Sequence, residues 1–398
     1  MMDTFHLMAK PAGPACNLNC TYCFYLEKKK YYNQGKTSMS DRVLKTYIKK
    51  YIQSQKRQSV VFTWQGGEPT LLGLDFFRKV VKYQKQFKQN KIISNSLQTN
   101  GTLINDTWCR FLKKNKFLVG ISLDGPEEIH NIHRKYSSGS STCSHVEKAI
   151  KLLQKYDVDF NVLTTVNDIN VKESQKLYDY YKRMGIKYIQ FIPIVERSSE
   201  EPDNVTNLNL SSPEDLNSEN QVTPWSVDPE RYGNFLVEIF DRWVRNDIGK
   251  TFYMNFEWAL SAVIHGVSGS CHFAKKCGSA GIVEHNGDVY SCDHYVYPSN
   301  KIGNILQDDL SLIFNSNKQE IFGNEKQKGL SEECINCQVL HLCYGGCPKH
   351  RFVEGQNYLC SAYKRFFTHI KPYAEAARDL IKQGKPLTDL MMIRIIDK

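Results

Sequence analysis

From residue 5 to residue 194, short runs of apolar, β-branched residues alternate with longer stretches in which apolar positions recur every three or four residues. The short runs predict strands at 5–10, 60–64, 92–97, 117–123, 158–166 and 187–194. The periodic stretches predict helices near 40–54, 74–88, 105–115, 142–156 and 172–184. Strands that alternate with helices pair in parallel, because each crossover must carry the chain back along the sheet. The expected fold class is therefore α/β with a parallel βα array, and no internal repeat is evident.

The pattern changes after residue 195. Residues 198–226 turn to Ser, Asn, Glu and Pro and read as a surface excursion near a domain boundary. Residues 229–247 carry Tyr232, Phe235, Leu236, Ile239, Phe240 and Trp243 on one helical face. A hairpin is expected at 281–290, turning at Asn286-Gly287. With 398 residues, 41% of them hydrophobic, the chain can bury a large core and should hold two or three domains. No run of apolar residues is long enough to cross a membrane, and no leader pattern stands at the N-terminus, so the cytoplasm is expected.

The formal charge of +10 would suit an acidic partner such as nucleic acid or a membrane surface. That count treats all thirteen cysteines as neutral. Lys28-Lys29-Lys30 and the lysines of 45–57 and 79–91 are expected to form solvated helix faces.

The cysteines change the picture most. Cys16, Cys20 and Cys23 fall within eight residues, and Pro11, Gly13 and Pro14 before them forbid a helix, so they sit on a loop after the first strand. Three close thiolates can ligate three irons of a four-iron, four-sulfur cluster and leave the fourth open to a ligand. Half a zinc site, or plain buried thiols, is the competing reading. Gln65-Gly66-Gly67-Glu68-Pro69, Gln98-Thr99-Asn100-Gly101, Ser122-Leu123-Asp124-Gly125 and Pro193–Val195 likewise follow or end strands. In βα barrels that rim is where sites form. Gly66 and Gly67, without Cβ atoms, could let backbone approach a ligand or could simply make a tight turn.

Farther on, Cys271, Cys277, Cys292, Cys334, Cys337, Cys343, Cys347 and Cys360 make two complete sets of four, as iron clusters or as structural zinc sites. If eleven cysteines hold three clusters, the cluster charges bring the chain to roughly +5. Cys109 and Cys143 are left over as buried thiols. Asp293 follows Cys292 and could take a proton beside a cluster, or could only orient the loop.

The C-x3-C-x2-C spacing, with Tyr22 before the third cysteine, resembles the signature of radical S-adenosylmethionine (SAM) enzymes. The Gln-Gly-Gly-Glu-Pro-Thr-Leu run, Cys292-Asp293-His294-Tyr295 and Ile129-His130-Asn131-Ile132-His133-Arg134 look like those of anaerobic sulfatase-maturating enzymes. That resemblance implies a partial (βα)6 TIM-like barrel over 1–228, a connecting helical segment over 229–255, a cysteine-rich SPASM domain over 256–370 and a C-terminal helix and tail over 371–398. It implies three [4Fe-4S] clusters: one on Cys16, Cys20 and Cys23, one on Cys271, Cys277, Cys292 and Cys347, and one on Cys334, Cys337, Cys343 and Cys360. Tyr22, Gly67, Ser122, Arg134 and Val195 would contact SAM, and Asp293 would be the general base.

The implied reaction is removal of a Cβ hydrogen from a cysteine or serine of an unfolded sulfatase by a 5′-deoxyadenosyl radical, giving Cα-formylglycine. The implied partners are that polypeptide and an external one-electron reductant such as ferredoxin or flavodoxin, for a monomer that binds neither nucleic acid nor membrane. Two alternatives stand beside it. One is a SPASM-type enzyme making a thioether crosslink or an epimerised residue, although the first cysteine at residue 16 leaves no room for a preceding peptide-recognition domain. The other is a zinc-binding module that grips nucleic acid with its lysines.

Overall fold

The computed structural model describes residues 4–32, 37–199, 210–213, 221–352 and 355–393. Its core is one ten-stranded sheet. Strands β1 (His6–Lys10), β2 (Ser59–Trp64), β3 (Ile92–Thr99), β4 (Phe117–Ser122), β5 (Phe160–Val166) and β6 (Tyr188–Pro193) follow one another in parallel, as the alternating pattern predicts. The two-residue β7 (Phe252–Tyr253) adds to β6, also in parallel. On the other side β8 (Ala280–Glu284) pairs in parallel with β1 and continues into β9 (Asp288–Tyr290) and β10 (Lys301–Asn304) by antiparallel pairing. The strand order β10-β9-β8-β1-β2-β3-β4-β5-β6-β7 leaves an edge at each end, so the barrel is partial.

The two faces of this sheet differ because strand side chains alternate. Val60, Phe62 and Trp64 are buried against the helices, where Phe62 meets Tyr47 and Trp64 meets Phe77 edge to face. Tyr47 comes from the helix Asp41–Ser54 and Phe77 from the helix Gly73–Phe87. The opposite face carries Thr63, Ser94, Ser96, Gln98, Ser122 and Gln190, none of them fully buried. Closed barrels fill their interior with branched apolar side chains. Here the concave face mixes these polar side chains with apolar ones such as Leu163 and Ile192, is partly open, and at its carboxyl end leads to the cysteine loop.

One expectation about the lysines needs correction. Lys28 is not on a solvated face: its side chain is fully buried, with its ammonium 3.3 Å from the centre of the Tyr297 ring and 3.7 Å from Glu27. Lys29 is exposed and Lys30 pairs with Glu27, while Lys45, Lys49, Lys79, Lys82 and Lys85 are exposed as expected. The divisions at 255/256 and 370/371 fall inside helices, Met254–His265 and Cys360–Lys382. The second helix packs Phe366 and Tyr373 on Phe240 of the helix Pro229–Asn246, so the last cysteine is tied to the barrel. The short helix Glu127–His133, which leads to Arg134, was too brief to show a period. Of the 198–226 excursion, residues 200–209 and 214–220 lie outside the described residues.

Candidate active site

The cysteine loop is fastened from both sides. Asn19 donates its amide to Lys135 and Thr21 to His133, so the loop runs beside the segment after Glu127–His133. Asn100 donates to Asn17, and Asn17 to Thr102, both at 2.9 Å, joining the loop to the end of β3. The Leu18 amide lies 3.3 Å from the Cys16 sulfur.

Gly66 and Gly67 serve this packing. A Cβ on Gly67 would fall 1.9 Å from the Ala15 carbonyl oxygen, which accepts the Glu68 amide at 2.7 Å. The close approach is therefore between two loops. Gly66 lies at φ +101, and a Cβ there would fall 2.6 Å from the Lys10 side chain, so Gly66 makes room for Lys10. Glu68 is buried and locks the rim: one carboxylate oxygen accepts the Thr70 amide and hydroxyl and the Thr99 hydroxyl, and the other accepts the Asn100 amide at 2.7 Å. Burial raises its pKa, and those donors oppose the rise.

Behind the rim, buried Asp124 gathers three elements. It accepts from Arg134 Nε at 2.9 Å, from the Thr165 amide at 3.0 Å and from the Tyr22 hydroxyl. Burial pushes the Tyr22 phenol well above its ordinary value, so it stays protonated and donates. The Arg134 guanidinium lies over the Tyr22 ring at 5.4 Å.

These loops enclose a partly open cleft of roughly 160 Å³ lined by Cys16, Cys20, Cys23, Lys10, Gln65, Gly66, Gly67, Gln98, Asn100, Ser122 and Arg134. Of the five expected SAM contacts, Gly67, Ser122 and Arg134 line it. Tyr22 stands behind Arg134, and Val195 is buried beside Ile194, so neither forms the wall. Gln98 and Asn100, of the motif that follows the third strand, line it too, as expected of the rim; Lys10, which ends the first strand, was not singled out. A larger groove along the helices Ser174–Arg183 and Pro229–Asn246, lined by Lys176, Glu238, Asp241 and Arg242, holds no cysteine.

The remaining cysteines fall into two gatherings. Cys334, Cys337, Cys343 and Cys360 line one small cavity with Gly345 and Tyr363. In the other, burial pushes the Cys347 thiol up to about 12, and Cys277 and Cys271 raise it further. Cys292 is raised first by burial and then by Cys347. Two buried cations that had not been singled out stand here. Lys326 donates to the Cys271 and His272 carbonyls, at 3.0 and 2.8 Å, and Arg351 donates to the carbonyls of Tyr344, Gly345, Lys326 and Gly329. His294 places Nδ1 3.5 Å from the Cys347 sulfur. Cys109 and Cys143 are buried alone in the core.

This donor set suits iron–sulfur clusters. A single zinc ion needs its donors about 2.3 Å from one point. Among the described residues no three metal-binding side chains converge that way. A four-iron cluster is a larger body, and three thiols on a cleft with four more on a closed cavity are disposed around spaces rather than points. Burial pushes Cys16 and Cys20 up to about 12, so loading the first site releases protons. Near the cleft, Asp293 places Oδ1 2.5 Å from Lys10 Nζ.

Residues 11–181 match the Radical SAM superfamily, and residues 275–338 match an iron–sulfur cluster-binding domain, SPASM. The chain is 41% identical to a serine-type anaerobic sulfatase-maturating enzyme of Bacteroides thetaiotaomicron, over 96% of this chain and 93% of that one. It is 37% identical to a cysteine-type anaerobic sulfatase-maturating enzyme of Clostridium perfringens, over 93% of this chain and 97% of that one. A solved structure described as native anSMEcpe with bound AdoMet and Cp18Cys peptide superposes with a TM-score of 0.82 at 36% identity, covering 94% of this chain and 99% of that one.

Proposed function

The chain belongs to the anaerobic sulfatase-maturating enzymes of the radical SAM superfamily, and we propose that it oxidises a cysteine or serine of a sulfatase polypeptide to Cα-formylglycine. The observation that carries this reading is the cleft on which three thiols, a glycine pair and Arg134 meet, with Asp293 beside its Lys10 wall. Cys16, Cys20 and Cys23 would hold the cluster that works with SAM; Gly67, Ser122 and Arg134 would hold SAM in the cleft, with Tyr22 and Val195 behind them. Cys271, Cys277, Cys292 and Cys347 hold the first auxiliary cluster, and Cys334, Cys337, Cys343 and Cys360 the second. When bound, these groups supply a hydrogen-abstracting carbon radical and a sink for one electron.

The chain's own residues do the rest. Asp124 fixes Arg134 and Tyr22, so the cleft wall is set before a ligand arrives. Glu68 and Asn100 hold the cysteine loop against the rim. Asp293 takes the proton from the substrate thiol or hydroxyl, beside Cys292, one of the residues that would hold the first auxiliary cluster. Removal of one hydrogen atom, one proton and one electron turns the serine alcohol into the aldehyde; from cysteine the thioaldehyde so formed exchanges sulfur for oxygen with water.

An external one-electron reductant such as ferredoxin or flavodoxin supplies the first electron. We place the protein in the cytoplasm, a reducing compartment that suits cluster-bearing cysteines. Among the described residues no helix is long and apolar enough to cross a membrane. All proposed ligands lie on one chain, so a monomer suffices. The test is mass spectrometry after anaerobic incubation of the reduced protein with SAM and paired cysteine- and serine-containing sulfatase peptides. The expected product lacks two hydrogens relative to serine; a crosslinked or mass-neutral epimerised peptide would replace this reading with the other peptide modification.

A further inference from the structure

Lys10 is a buried ammonium that the reaction as described above does not use. It ends β1, on the concave face of the sheet, and its side chain is 2% exposed. Four separate features hold it. Its stem runs through the space that Gly66 leaves by having no Cβ, and its ammonium stands 4.5 Å from the centre of the Tyr25 ring. Nζ lies 2.5 Å from Asp293 Oδ1, and the residue also forms part of the cleft that Cys16, Cys20 and Cys23 line. Lys10 thus stands between the space assigned to SAM and the carboxylate assigned as base, and it reaches both from the barrel strand to which β8 is paired.

We propose that Lys10 is the positioning residue of Asp293: its ammonium, 2.5 Å from Oδ1, fixes the orientation of the carboxylate and so which oxygen faces the substrate. The proposal rests on the reading of Asp293 as the base. The pair also explains why the base is built from two distant parts of the chain, because a partner on β1 registers Asp293 against the cysteine loop that follows the same strand. When Asp293 takes the substrate proton, an ammonium–carboxylate pair becomes an ammonium beside a carboxylic acid. No bond at Lys10 forms or breaks.

The test is a double-mutant cycle on the loaded, full-length enzyme with Lys10→Met, Asp293→Asn and both together, and with Lys10→Arg as the conservative variant. The quantities read are formylglycine formed per 5′-deoxyadenosine, iron content per chain, and peptide affinity measured by equilibrium binding. Lys10→Met is expected to lower the product ratio by about tenfold or more, up to the roughly 10²–10⁴-fold that a general base contributes. Lys10→Arg is expected to recover most of it, and adding Lys10→Met to Asp293→Asn to lower it no further. Multiplying losses in the double variant, or a loss that follows iron content or peptide affinity instead of the product ratio, would overturn the role. If Asp293→Asn alone leaves the ratio unchanged, the base reading itself falls. If Asp293→Asn lowers it and Lys10→Met does not, only the assignment of Lys10 falls.

Discussion

Asp124, in the motif that ends the fourth strand, ties three elements of the cleft together. It is 1% exposed and binds Tyr22, Arg134 and the Thr165 amide, so three elements depend on one carboxylate. Asp124→Asn leaves Arg134 buried without its counter-charge. The expected cost is on the order of 3 kcal/mol in denaturant unfolding, with weaker SAM binding by equilibrium dialysis; an unchanged midpoint would show the pair to be dispensable. His130 gives a pH signature. It is fully buried, accepts the Asp124 amide, and burial lowers its pKa from 6.5 to about 4. Below pH 6.5 the unfolded chain binds a proton that folded His130 refuses until about pH 4. Stability therefore falls with pH through that window, by at most ~1.4 kcal/mol per unit from this residue. His130→Gln should flatten the acid side of a melting-temperature series; an equally steep loss in both proteins would remove His130 as its source. At this scale the cysteines were legible because spacing exposes ligands. Lys10 and Lys326 were not, because their partners Asp293 and Cys271 lie far away in the chain.

The elements were legible where periodicity was long. The six barrel strands and the helices between them stand within a few residues of their expected positions, since apolar alternation and helical spacing express the same burial that holds the sheet. The two-residue β7, the four-residue β10 and the seven-residue helix Glu127–His133 have no such pattern to show. Loop-to-loop fit was equally hidden. The Gly66-Gly67 pair could be read from sequence as a ligand approach or a turn, whereas the coordinates put Ala15 and Lys10 in the space its missing Cβ atoms leave. Gly67→Ala should therefore displace the cysteine loop. The expected outcome is loss of about a third of the iron, the share of one cluster in three, while the auxiliary clusters remain. Full iron content with normal SAM binding would show that the loop can yield.

At the scale of the whole molecule, two cysteine-bearing regions share one sheet. β8 pairs with β1 over five residues, and the helix Cys360–Lys382 packs against the helix Pro229–Asn246. Sequence suggested consecutive domains because composition changes along the chain. It could not show that strand pairing crosses the change, since pairing depends on edges left open by a partial barrel. The consequence is functional: Cys292-Asp293 is carried on the same sheet as the cysteine loop, so the assigned base and the assigned radical site are held in fixed relation. Charge agrees with this arrangement, because buried Lys326 and Arg351 stand beside thiols assigned to anionic clusters. The central claim is that hydrogen leaves Cβ of the substrate residue in this chamber. It is tested most directly by supplying a sulfatase peptide deuterated at Cβ of the target serine or cysteine and measuring deuterium in the released 5′-deoxyadenosine. One deuterium transferred from Cβ is the result expected here. Transfer from a peptide deuterated at Cα instead, or none from either position, would contradict it.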